Sequence, residues 1–223
     1  MSDLAKLEEL KSLERKTLSD DELKKRLGGA PFQPGESIVL SQIDYALKKV
    51  VVGVGWDVPG VDTGGIDVDC SVFILDKNDK TREDSDFVFY NNLSGGDNDA
   101  VMHLGDNRTG DGDGDDEQIA IDLQALSFDV LKLVFVISIY DYEMREQNLT
   151  MLRNLYIRLV NPDTQLELLR FPIDETTADK YSAAMIAGEL VREGPSWLFT
   201  ARGTFLPGGL GPIATSYGMM VTG

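Results

Sequence analysis

The stretch Gly105-Asp106-Asn107-Arg108-Thr109-Gly110-Asp111-Gly112-Asp113-Gly114-Asp115-Asp116-Glu117 concentrates the chemistry of this chain. Six of its thirteen residues are acidic and four are glycine. Asp111, Asp113 and Asp115 are separated by single residues, so a curled loop turns alternate carboxylates toward one point. The glycines permit tight turns and bare the backbone carbonyls. Such oxygens are hard ligands, which favours Ca2+ over Mg2+ or Mn2+. Arg108 is the single basic side chain in the stretch, so the crowded carboxylates repel one another unless a cation compensates. A solvated acidic loop is the alternative. The stretch is not an EF-hand: counted from Asp111, Asp116 stands where that loop needs glycine and Asp122 where it needs glutamate. The Ile119, Ile121, Leu123 alternation that follows reads as strand, not helix.

Sparser acidic residues point the same way. Asp67 and Asp69 lie two apart on one face of a predicted strand, a placement that sacrifices β propensity unless the carboxylates are used. Asp57 and Asp62 precede them, Asp84 and Asp86 flank the next strand, and Asn91, Asn92, Asp97 and Asp99 follow. Catalytic sets are harder to find. His103 is the one histidine and reads as a surface strand residue without an oriented partner. Asp141 and Glu143 end the most apolar strand, and a metal-assisted hydrolase built on such carboxylates is the enzyme alternative. Gly53-Val54-Gly55 lacks the third glycine and helix of a dinucleotide fingerprint, and Gly208-Gly209-Leu210-Gly211 lacks the Lys-Ser or Lys-Thr of a phosphate loop.

The chain has 223 residues, with 21 Lys plus Arg against 38 Asp plus Glu, a net charge of −17. That field repels nucleic acid, and no basic cluster exceeds Lys24-Lys25-Arg26. A lone cysteine, Cys70, forms no internal disulfide and suits a reducing compartment. It is expected to be buried and structural. The sequence contains no run of 18 apolar residues that would imply a membrane span, and Met1-Ser2-Asp3-Leu4 shows no basic patch before an apolar run, so no secretion signal is evident and a cytoplasmic location is expected.

The elements that must position these residues are mostly strands. Period-two or continuous apolar patterns predict strands at 37–40, 50–56, 66–75, 87–90, 119–123 and 131–140, the last buried on both faces. Hairpins are predicted at 155–171 and 183–205. The expectation is an all-β, two-sheet β-sandwich of about ten strands over 31–223, with a helical turn near 145–151 and a loop from Pro207 that Ile213 and Tyr217 pin to the core. Residues 1–30 differ. Leu4, Leu7, Leu10 and Leu13 recur at helical spacing, and Ser19 with Glu22 forms a capping box before Leu23 and Leu27. The prediction is a short helical hairpin that docks on the main domain, on another copy of the chain or on a partner, with a loosely ordered tail as the alternative.

Gly55-Trp56-Asp57, Ile66-Asp67-Val68-Asp69-Cys70-Ser71, Asp84-Ser85-Asp86-Phe87-Val88-Phe89-Tyr90-Asn91-Asn92, the acidic glycine loop and Gly208-Gly209-Leu210 together resemble the tellurium-resistance TerD family. The resemblance runs in order from about residue 33 to 220. It implies a Ca2+-binding β-sandwich linked in bacteria to stress and tellurite resistance, acting without catalysis through protein partners. Carried over residue by residue, it implies metal ligands among Asp67, Asp69, Asn91, Asp106, Asp111, Asp113, Asp115, Asp116 and Glu117. These exceed what one ion of roughly 6–8 oxygens takes, so two Ca2+ ions are expected. Asp111 stands where many members have glutamate, and Cys70 replaces a small residue. Related eukaryotic members are described as cyclic-AMP-binding, which makes a small-ligand or cyclic-nucleotide sensor a further alternative. The N-terminal segment resembles the short helical hairpins of the SHOCT type, which implies oligomerisation.

Overall fold

The computed structural model describes residues 15–58, 65–105 and 114–220. Two sheets form. The first has the order β1 (Lys16–Thr17), β2 (Glu36–Val39), β13 (Ser196–Leu206), β12 (Ala184–Glu193), β9 (Lys132–Ile139), β4 (Val68–Leu75), β5 (Phe87–Val88). The second runs β11 (Leu166–Pro172), β10 (Arg153–Asn161), β3 (Lys49–Asp57), β8 (Glu117–Asp122), β7 (Val101–His103), β6 (Ser94–Gly95). Neighbours are antiparallel except β1 and β2, which run parallel. The expected two-sheet sandwich is thus the observed one, with thirteen strands described instead of about ten. The strands missed include β1, β6 and β7, which are too short to carry a readable alternation.

The core lies between the sheets. Val50, Val52 and Val54 of β3 and Ile119 and Ile121 of β8 join Val68, Cys70, Val72 and Ile74 of β4 and Phe135 and Ile137 of β9 in one buried cluster. A second cluster covers the outer face of the first sheet and explains why β9 is apolar throughout. Val134 and Val136 on that face pack under Ile213, Ala214 and Tyr217. The last three flank or belong to a helix, which corrects the expectation of a loop after Pro207. In chain order the helices are α1 (Asp20–Leu27), α2 (Leu40–Ile43), α3 (Tyr142–Arg145) and α4 (Leu210–Ser216). Gly211 and Pro212 are poor helix formers, but Pro212 sits in the first turn of α4, where a missing N–H costs nothing. Burial of Ile213, Ala214 and Tyr217 supplies what propensity does not. The turn expected near 145–151 divides into α3 and a 3-10 turn at Leu149–Met151. None of the described helices is long and apolar enough to cross a membrane.

The first predicted N-terminal helix, with Leu4, Leu7, Leu10 and Leu13, lies outside the described residues. The second forms as α1, with the capping box in place: Ser19 N–H donates to Glu22 Oε2 at 3.0 Å, and Glu22 N–H to Ser19 Oγ at 3.4 Å. It docks on the sandwich. Arg26 donates from Nε and Nη2 to the two oxygens of Glu36, at 2.7 and 2.8 Å, and Glu36 is 1% exposed. Burial alone would raise the Glu36 pKa, but hydrogen bonds from Arg26 and from the Gln33 N–H outweigh it and hold it below the usual range. Lys16, then Ser19, lower Glu22 to about 2. Carboxylates depressed on folding stabilise the fold above their unfolded pKa, and that contribution is lost as pH falls through the folded values. Hydrogen-exchange protection of residues 20–27 is therefore expected to fall between about pH 4.5 and about pH 2, earlier than that of β9. Protection of α1 that holds unchanged across that window would contradict the ion pair as its anchor.

Candidate metal centre

The acidic loop enters β8 at Glu117. Of its six acidic residues, Asp106, Asp111 and Asp113 lie outside the described residues, while Asp115, Asp116 and Glu117 are described. Each of the three is held differently.

Glu117 sits on the inner face of β8, 1% exposed. Its Oε2 accepts the Cys70 N–H at 2.5 Å. Here β4 has β9 on one side and pairs β5 only further along, at Val72 and Phe73, so a side-chain carboxylate from the opposite sheet serves an edge donor. The same oxygen lies 3.3 Å from His103 Nε2. His103 Nδ1 accepts the Gly105 N–H at 3.3 Å, which assigns the proton to Nε2 and makes it the donor to Glu117. His103 is therefore buried and oriented, which corrects its reading as a surface residue. Glu117 joins the two sheets beside Asp67 and Asp69, since Cys70 follows them directly. Asp69 lies in β4, whereas Asp67 stands one residue before it. Burial first, then the Glu117 and Asp69 carboxylates, push the Cys70 thiol well above its ordinary range, so it is an inert core group.

Asp116 is stitched to β3. Its Oδ2 accepts the Trp56 N–H, and its own N–H donates to Val54 O, both at 2.8 Å.

Asp115 points elsewhere. Its side chain is fully buried, and Arg158 Nε and Nη2 donate to its two oxygens at 2.7 and 3.0 Å. Tyr156 OH shares its one proton between Gly114 O at 2.7 Å and Asp115 Oδ1 at 3.0 Å, and Gln118 Nε2 donates to Oδ2 at 2.9 Å. Three N–H donors and the shared phenol proton leave little of the carboxylate's acceptor capacity open. Burial, then the Asp115 charge, raise Tyr156 to about 12, so its hydroxyl stays a donor. Asp115 is thus already committed to protein partners, as an anchor of the loop. The glycines of β3 make room for it: a Cβ on Gly53 would fall into the Asp115 carboxylate, and one on Gly55 into the Tyr156 ring. Sequence reasoning missed this anchor. Isolated glycines inside a strand pattern were its one signal, because they mark close approach of another group.

The other acidic residues divide. Asn91 is exposed at the tight Phe89–Asn92 turn and lines a cleft of about 550 Å3 with Asp84 and Met219, one that Asp69 does not line. Asp86 and Asp97, read with the acidic group that favours metal, meet Arg82 instead. Its Nε is 2.8 Å from Asp86 and its Nη1 3.1 Å from Asp97 and 3.0 Å from Asp129. Among the described residues no three His, Cys, Asp or Glu side chains are arranged to hold a metal ion. What the described part offers a hard cation is oxygen chemistry on rigid strands. Asp116 and Glu117 each have one oxygen fixed by a backbone N–H, which orients the carboxylate as an outer-shell partner would. That donor set fits Ca2+.

A family model described as the TerD domain matches residues 29–217, which leaves α1 and the residues before it outside. General stress protein 16U of Bacillus subtilis (strain 168) is 44% identical over 188 residues, covering 84% of this chain and 96% of that one. Tellurium resistance protein TerD of Serratia marcescens is 43% identical over 185 residues, covering 83% and 95%. In fold, a crystal structure of a homologue of telluride resistance protein (TerD) from Streptomyces coelicolor A3(2) aligns with a TM-score of 0.58 at 18% identity, over 77% of this chain and 96% of that one. With most of its length matched by the family model and by these relatives, this chain belongs to the TerD-domain family.

Proposed function

We propose that the protein is a Ca2+-binding, non-enzymatic stress-response module of the cytoplasm that acts through protein partners. The observation that carries this reading is the loop from Gly105 to Glu117, dense in carboxylates and fastened at its end by Asp115, Asp116 and Glu117 to β10, β3 and β4. A loop pinned at this density keeps its charges crowded, and a bound cation relieves that cost. Asp106, Asp111 and Asp113 supply the loop ligands, with Asp116 and Glu117 at its end and Asp67 and Asp69 drawn from the stretch of chain just before Cys70, whose N–H Glu117 holds. Asn91 completes a second ion from the neighbouring turn. Asp115 positions the set through Arg158 without contacting metal. Calcium supplies charge neutralisation and loop order. Partners then read the ordered loop surface, and the helical N-terminal segment offers a second contact for them or for another copy of the chain.

Calorimetric titration of chelator-stripped protein with CaCl2 is expected to show saturable binding of two ions. Asp111→Asn with Asp113→Asn is expected to weaken it at least about tenfold, the cost of removing charged ligands from a calcium loop. Absence of saturable heat in the unaltered protein would return the loop to a solvated charge run.

A further inference from the structure

On the outer face of the first sheet, α4 covers only part of the surface. Beyond its N-terminal end an open cleft of about 830 Å3 remains. Its size suits a small ligand. Two short side chains from paired strands line it, Asp69 of β4 opposite Ser138 of β9. One wall is aromatic. Phe73, Phe87 and Phe89 stack at 4.3 Å centroid spacings, then Tyr90 meets Phe89 edge-on at 5.1 Å and Tyr140 meets Tyr90 edge-on at 5.7 Å. The ladder runs from the core to the cleft and fixes the rings. Asp141, Tyr142 and Glu143 also line the cleft, and no lysine, arginine or histidine does so among the described residues. Ser138 is 2% exposed and lines the cleft.

Each feature selects the same chemistry. Ring faces attract a cation, the carboxylates repel an anion, and a buried hydroxyl accepts from an N–H donor. The chain's own Arg145 guanidinium already stands 5.9 Å from the Tyr140 ring centroid, at the rim. A net charge of −17 draws cations toward the surface. We propose that this cleft binds an alkylammonium group, either of a free polyamine or of a lysine side chain presented by a partner. The ammonium donates to Ser138 and lies between Tyr140 and Glu143, with its alkyl chain along Tyr90. Asp69 also figures in the calcium reading. Tyr140 and Glu143 belong to the cleft alone, so the two readings can fail separately.

The test is a two-dimensional NMR titration of 15N-labelled protein with spermidine and, separately, with N-acetyl-lysine amide. Each is run in saturating calcium and again in chelator, with NaCl at matched ionic strength as reference. Saturating shifts centred on Tyr140, Glu143, Gly209 and Gly211 are expected. Tighter spermidine would identify the free polyamine as the source, and tighter lysine amide the partner side chain. Tyr140→Leu and Glu143→Gln, both at exposed positions, are each expected to weaken binding about fivefold while leaving the rest of the spectrum in place. Shifts no larger than those from NaCl, shifts centred elsewhere, or ammonium binding insensitive to both variants would overturn the proposal.

Discussion

Gly53→Ala is expected to destabilise the protein by about 3 kcal/mol, although it adds one methyl group to an interior strand. The new carbon lands on the Asp115 carboxylate. A lone aspartate would swing aside, but this one is held by Arg158, Tyr156 and Gln118 and is fully buried. Displacing it strands a carboxylate and a guanidinium that is 24% exposed, and a buried pair broken on one side costs several kcal/mol. Urea unfolding measures the loss. The control is the same substitution in an Asp115→Ala background, where the methyl group has no carboxylate to displace and its added cost should fall below about 1 kcal/mol. An equal cost in both backgrounds would mean that the glycine is needed for strand geometry alone. Calcium affinity should fall with Gly53→Ala as well, because Asp115 ends the loop whose other carboxylates bind the ion in our reading.

Removal of calcium is expected to have the second large effect. An ion that binds the folded chain and not the unfolded one stabilises by about 4 kcal/mol when present at a thousand times its dissociation constant. For a domain of this size each kcal/mol moves the midpoint by roughly 2–4 °C, so chelation should lower Tm by about 8–16 °C. The relief of loop repulsion is part of the same quantity, so low salt should widen the gap and high salt narrow it. Scanning calorimetry with EDTA and with added CaCl2 reads this directly. Coincident transitions in the two conditions would remove calcium from the account of the fold.

Much of the sandwich was legible because its strands announce themselves within a few residues. The alternation at Ile119 and Ile121 fixes which side of β8 is buried, and the unbroken apolar run of β9 signals cover on both faces. The α4 helix was not legible, since Gly211 and Pro212 give Leu210–Ser216 a weak helical propensity and it forms by docking on Phe73, Val134 and Val136. The candidate site was half legible for a related reason. Acidic residues are plain in a sequence, but their partners are not. Arg158 lies 43 positions from Asp115, so nothing local shows that this carboxylate already has a guanidinium, whereas Arg82 lies only four residues before Asp86 and was a local sign of pairing. His103 was misplaced likewise: Glu117, fourteen residues away, is what makes a polar ring tolerable inside the sandwich.

The two residues of β1 have an importance out of proportion to their length. Without them β2 would be the outermost strand, with a row of unpaired N–H and C=O groups beside Glu36 and Ser37. Lys16 and Thr17 take those groups, and Lys16 places an ammonium on the outside, 3.5 Å from Glu36. A bare strand edge recruits other edges, and sheets grow that way into aggregates. A lysine-bearing stub, held down by α1 through Arg26, stops that growth at its first step. The N-terminal segment therefore has a second effect beyond docking: it closes the sheet against edge-to-edge growth.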